Sequence, residues 1–139
     1  MTSMTFEFRD APPAVAEFAA LRTLVGWNNP TADLLAASIE NSRYWVSVFS
    51  ERQLVGTGRV IGDGAMYFYI QDLIVHPAYQ GQGLGKQMMD RIEAYLASVC
   101  RSGATVGLLA ARGKEGFYDS FGYARRDGES LGLGMCRFV

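Results

Sequence analysis

The chain has 139 residues, 49% of them hydrophobic, which suffices for one core without staples and leads to the expectation of a single domain over residues 1–139. Its 13 Lys+Arg and 14 Asp+Glu leave a net charge of −1, so neither a basic face for nucleic acid nor a block of like charge is present. Two cysteines, Cys100 and Cys136, and a single histidine, His76, make a disulfide framework or a metal site hard to assemble; no metal is expected.

The first ten residues carry no basic start followed by an apolar run, and no apolar stretch approaches the roughly 20 residues that span a bilayer. A cytoplasmic protein with no membrane partner is therefore expected. Asp10 followed by Pro12 and Pro13 predicts a capped helix start, with Val15, Phe18, Leu21 and Val25 on one face and Gly26 as the stop. Asn29, Pro30 and Thr31 open a second helix whose apolar face carries Leu35 and Ile39. From Tyr44 the pattern turns β-rich. Trp45 to Phe49 and Leu54 to Ile61 predict two strands, and Gly62-Asp63-Gly64 a hairpin turn. Ala65 to Val75 is then apolar apart from Gln71 and Asp72, as a central strand buried on both faces would be. An acid in such a run is costly unless paired, hydrogen-bonded or used.

After His76-Pro77 comes a glycine-rich turn, then an amphipathic helix with Leu84, Met88, Ile92, Leu96 and Val99 on its stripe and Gly103 beyond its end. A short strand from Thr105 to Ala110, a short helix from Lys114 to Phe121 and closing strands at Tyr123 and from Leu131 to Phe138 complete the order. The fold class is α/β, a mixed sheet of about six to seven strands.

The informative segment is the strand Gln71-Asp72-Leu73-Ile74-Val75 followed by Gln80-Gly81-Gln82-Gly83-Leu84-Gly85-Lys86 opening a helix. Glycines at a helix start let the backbone approach a ligand with its amides forward, and with the helix dipole these suit a pyrophosphate. A P-loop would need glycine at position 80 and Ser or Thr at 87, where Gln80 and Gln87 stand. A dinucleotide fingerprint would need glycine at 86 or 88, where Lys86 and Met88 stand. Neither nucleotide motif is present.

The segment 80–85 resembles the Q/R-x-x-G-x-G/A motif of the GNAT superfamily of acyl-CoA-dependent N-acyltransferases. Gly116-Phe117-Tyr118-Asp119-Ser120-Phe121-Gly122-Tyr123 resembles that family's later aromatic segment, at its usual distance. The resemblance implies helices on both faces of the sheet and a bulged strand splayed from a parallel neighbour at its centre. It implies acetyl-CoA as cosubstrate, with main-chain groups of Leu73, Ile74 and Val75 along the pantetheine arm. Amides of Gln80, Gly81, Gln82, Gly83, Leu84, Gly85 and Lys86 would hold the pyrophosphate. The Lys86 side chain would either help neutralise phosphates or simply be solvated.

The implied reaction is attack of an amine on a thioester, which needs a proton acceptor for the amine, a donor for the oxyanion and an acid for the departing thiolate. Tyr118 matches the family's tyrosine near the sulfur; the plainer alternative is a packed aromatic. Asp72 is the leading carboxylate for the base, directly or through water. Its alternative is a structural acid tied to neighbouring amides or to Arg59. Some family members place a glutamate where Gln71 stands, and Gln71 cannot take a proton.

Trp27, in the first-helix region where the family admits its acceptor, and Gln71 are the candidate acceptor contacts, with Tyr44, Trp45, Tyr67 and Tyr69 as nearby walls. His76 is most simply a connector and both cysteines are small core residues. The acceptor expected is the primary amine of a small molecule; the alternatives are a protein or peptide acceptor, or a non-catalytic CoA-binding sensor. The resemblance also allows a homodimer.

Overall fold

A computed structural model describes residues 5–139. The described chain forms two compact units, the first running to Gly107 and the second from Leu108 to Val139. Strands β1 (Glu7–Arg9), β2 (Tyr44–Ser50), β3 (Gln53–Gly62), β4 (Tyr67–Val75) and β5 (Thr105–Leu108) form one sheet in that order. The first three neighbouring pairs are antiparallel. Helices α1 (Val15–Leu24) and α2 (Ala32–Glu40) precede β2, and α3 (Leu84–Val99) connects β4 to β5.

The two sides of β2 show why the sheet is covered on both faces. Trp45 points into a cluster with Phe18, Leu21, Leu35 and Ile39, the stripes of α1 and α2. Its ring meets Phe18 edge-on at 5.2 Å, and its indole N–H donates to the Ile39 carbonyl at 3.1 Å. The wall assigned to Trp45 is thus core. Val46, one residue on, belongs to the opposite face. There Leu84, Met88, Met89, Ile92 and Leu96 of α3 are buried.

β2 and β3 are the strands buried along nearly their whole length, whereas β4 alternates between buried and partly exposed positions. This corrects the expectation of a doubly buried strand from Ala65 to Val75. Beyond β4 the sheet of the described residues has only the four-residue β5, none of whose positions is buried.

The strand count is five among the described residues, against the six to seven expected. β1 is an addition: Phe6-Glu7-Phe8-Arg9 alternates but is too short to stand out. No strand forms after Leu108. In the closing segment Gly128, Gly132 and Gly134 weaken strand propensity, and Asp127 Oδ1 accepts the Glu129 amide in a local turn. Leu131, Leu133, Met135 and Phe138 remain at least 60% exposed, so no buried face supports the pairing.

Asp10 does not cap α1, whose N-cap is Ala14. It instead accepts the Tyr44 hydroxyl at 2.6 Å and Arg91 Nη1 at 3.2 Å. Tyr44 in turn stacks on Tyr95 of α3 at 4.7 Å. Burial, and secondarily the bond to Asp10, raise the Tyr44 hydroxyl pKa well above the usual tyrosine range.

At the β3–β4 turn, Asp63 Oδ1 accepts the amides of Ala65, Met66 and Tyr67, which hold its carboxyl below the usual range. Gly62, at φ +147°, would carry a Cβ 2.0 Å from the Tyr67 carbonyl oxygen. Gly62→Ala is expected to cost about 2–3 kcal/mol through backbone displacement. Urea unfolding should show it as a lower midpoint at unchanged slope.

Candidate active site

The centre of the first unit is a bulge in β4. Thr57 pairs with Ile74 and Arg59 with Gln71, so Asp72 and Leu73 together oppose the single residue between them on β3. Asp72 takes φ +53°, a left-handed conformation uncommon for a residue with a side chain. Its carbonyl accepts the Thr57 hydroxyl at 2.9 Å. The bulge that the resemblance implies for this strand is therefore present in its pairing with β3.

The Asp72 side chain is wholly out of solvent. Arg59 donates to Oδ2 from Nε at 2.9 Å and approaches it with Nη2 at 2.7 Å. Arg22 Nη1 donates to Oδ1. The Gln71 amide also donates to Oδ1 at 3.4 Å, so Gln71 lies beside the carboxylate. Arg59 Nη1 continues to Ser38 Oγ at 2.8 Å and Ser42 Oγ at 3.1 Å on the α2 side. Among the described residues no buried side-chain polar atom lacks a partner. Asp72 is thus the hub of an ion-pair network joining α1, α2, β3 and β4, with both oxygens committed to guanidinium donors.

Arg22 is the residue that sequence reasoning missed. Its Nε donates to Asn29 Oδ1 and its Nη2 to the Asn28 carbonyl, both at 2.9 Å. Its guanidinium lies over the Trp27 ring, 5.4 Å from the centroid. One side chain thereby connects Trp27, its loop and the bulge. An arginine in the last turn of a helix gives no local sign of a carboxylate 50 residues away.

Beyond β4, His76 Nδ1 accepts the Ala78 amide at 3.0 Å, which makes it a turn residue. The Gln80 side-chain amide donates to the Val75 carbonyl at 3.1 Å and fastens the glycine turn to the end of β4. Gly81 and Gly83 adopt φ +82° and +78°, and a Cβ built on either meets nothing within 4 Å. Gly83 is the N-cap of α3, where the leading amides have no carbonyl a turn before them. Such donors, the positive end of a 16-residue helix and the open space at two left-handed glycines fit an anionic phosphate group. Lys86 is 70% exposed in its side chain and pairs with Asp90 at 2.9 Å, one turn on.

The second unit carries the other motif. Its helix α4 (Glu115–Asp119) contains Phe117 and Tyr118, whose rings meet edge-on at 5.1 Å. Tyr118 is half-buried, and its carbonyl accepts the Tyr123 amide at 3.3 Å after Gly122 turns the chain at φ +88°. Arg125 pairs with Asp119 at 2.6 Å and lowers the Asp119 carboxyl pKa. Cys100 is half-buried and Cys136 exposed, so Cys136 is not the core residue expected. Among the described residues no group of three or more His, Cys, Asp or Glu side chains could hold a metal ion, and no helix is long and apolar enough to cross a membrane.

Comparison with known proteins agrees with this geometry. The family described as Acetyltransferase (GNAT) domain matches residues 22–138. Histone acetyltransferase TAP1 of Glycine max is 31% identical over 120 residues, 78% of this chain and 51% of that protein. An uncharacterized N-acetyltransferase, ycf52-like, of Prochlorococcus marinus is 33% identical over 112 residues, 77% of this chain and 61% of that protein. The chain therefore spans between half and two-thirds of the length of these two relatives. Among solved structures, a protein of unknown function from meticillin-resistant Staphylococcus aureus, described as a probable acetyltransferase, superposes with a TM-score of 0.87 at 28% identity. That match covers 96% of this chain and 100% of the other. With the family match spanning most of the chain and both motifs, the chain belongs to the GNAT acetyltransferase family.

Proposed function

We propose that this chain transfers the acetyl group of acetyl-CoA to the primary amine of a small molecule. The observation that carries the reading is the left-handed glycine turn opening α3 directly beyond the bulged end of β4. When bound, acetyl-CoA supplies an acetyl group activated as a thioester. Amides in the segment 80–86 hold its diphosphate, with Gln80 keeping the turn against Val75. Main-chain groups of Leu73, Ile74 and Val75 hold the pantetheine arm along the end of β4 beyond the bulge. Lys86, already matched by Asp90, contributes little beyond the amides.

An alkylamine is mostly protonated at neutral pH and must lose a proton to react. Gln71 cannot accept it, and both oxygens of Asp72 are taken by Arg22 and Arg59. We therefore assign Asp72 to holding the bulge, as the structural alternative has it, and the amine proton to water. The Tyr118 hydroxyl remains the proton donor for the departing thiolate, on the strength of its motif. Tyr118→Phe is expected to lower kcat about a hundredfold with acetyl-CoA affinity nearly intact. Unchanged turnover would remove Tyr118 from that role.

The soybean relative carries the name of a histone acetyltransferase. For this chain the net charge of −1 supplies little attraction for a polybasic tail, which supports the small amine. Thiol release from acetyl-CoA across a panel of amines, amino sugars and peptides tests the proposal. Tight binding with no acceptor turned over would favour the sensor reading, and selective turnover of peptides the protein acceptor.

A further inference from the structure

We infer that Arg22 is a positioning residue that locks the acceptor-side loop, residues 26–29, to the bulge of the cofactor-side strand β4. The inference rests on the acetyl-transfer reading, which makes that loop and that strand the two sides of one reaction. Its basis is the three-way use of a single guanidinium. Nη1 donates to Asp72 Oδ1 at the bulge, Nε to Asn29 Oδ1, and Nη2 to the Asn28 carbonyl. The Arg22 carbonyl accepts the Trp27 amide at 3.0 Å and its guanidinium covers the Trp27 ring, so the loop is held from the backbone and from above. The Asn29 side-chain amide donates in turn to the Ala19 carbonyl at 2.9 Å and to Thr23 Oγ1 at 3.1 Å, returning the loop to α1.

The Arg22 side chain is 17% exposed, and its donors are directed at fixed acceptors. The planar fork makes this arrangement specific to arginine. A lysine has one nitrogen, which can reach the carboxylate or the loop but cannot brace both. Asp72 keeps Arg59 as a second partner, so the bulge survives loss of Arg22 while its link to the loop does not. The loop is then free to shift relative to β4, so the amine is both held less well and presented less accurately, and a displacement of about 1 Å of a bound reactant can cost on the order of a hundredfold in rate.

The test compares Arg22→Lys and Arg22→Met with the parent chain. Hydrogen exchange is expected to accelerate at least tenfold over residues 26–31 in both variants, while residues 71–75, still held by Arg59, and β2 change less than twofold. In steady state the KM for the amine should rise about tenfold in both, with the Kd for acetyl-CoA by calorimetry changed less than twofold. A merely structural role would lower the folded fraction and move kcat alone, leaving the amine KM in place. Equal loss of amine and acetyl-CoA affinity, an unaltered loop, or full recovery by lysine would overturn the inference. A parent chain that neither binds acetyl-CoA nor turns over any amine would instead overturn the acetyl-transfer reading. The brace between loop and bulge is then decided by the exchange data alone.

Discussion

Asp72→Ala is expected to destabilise the chain by about 3–5 kcal/mol, the largest single-residue loss of stability expected here. The magnitude follows from what is left behind. Two guanidinium groups, with side chains 17% and 8% exposed, lose the one carboxylate between them. Removing one partner of a buried ion pair costs more than the pair contributes, because the remaining charges stay out of water unpaired. The backbone adds to the loss, since alanine must hold a positive φ where aspartate is better tolerated. For a chain of this size the effect corresponds to a fall in Tm of roughly 10–20 °C. Asp72→Asn is expected to be milder, as it keeps an acceptor and tolerates the left-handed backbone. Replacing Arg22, Asp72 and Arg59 together by apolar residues should recover much of the loss, since no lone charge is then buried. Calorimetric unfolding of the four chains checks this order. A triple variant less stable than Asp72→Ala would show that the charges themselves, and not their pairing, set the stability.

Gly83→Val should weaken acetyl-CoA binding by a hundred- to a thousandfold, the loss of about two charge-assisted hydrogen bonds at roughly 2 kcal/mol each. Valine at φ +78° is strained in the native turn, so the backbone rotates and the amides at the start of α3 turn aside. The open space around the position means that the effect does not arise from a clash within the protein. A matched control lies in the turn three residues beyond the C-cap of the same helix, Cys100. Gly103 has φ +98° and equally open surroundings, so Gly103→Val carries comparable backbone strain away from the helix start. Both variants should lose similar stability, and only Gly83→Val should lose affinity in titration calorimetry. Equal affinity in the two would refute the phosphate cradle.

The contrast between the two sites explains how far a sequence can be read. The glycine turn is a local object: its glycines, the start of the helix that follows and the end of the strand before it lie within 20 residues, and each has its own compositional sign. The α1 and α2 stripes are local in the same sense, and Phe18, Leu21, Leu35 and Ile39 are buried where their spacing places them. The network at Asp72 is not local. A lone acid in an apolar run shows that something must pair with it, and Arg59 is among the partners that a neighbouring strand makes plausible. Arg22 is invisible until α1 is packed against the sheet.

The closing strands show the opposite error. Leu131, Leu133 and Met135 alternate with glycines and satisfy a β pattern, yet a strand exists only where a partner edge and a buried face are supplied. Likewise β1 is three residues with little propensity of their own, and its pairing with Ser47, Val48 and Phe49 makes it a strand. Sequence by itself determined the family, the order of the main elements and the glycine-rich turn that opens α3, because each depends on residues close along the chain. Tertiary structure alone decided the partners of Asp72, the reach of Arg22 to the carboxylate and the number of strands, because each depends on which distant groups share a desolvated volume.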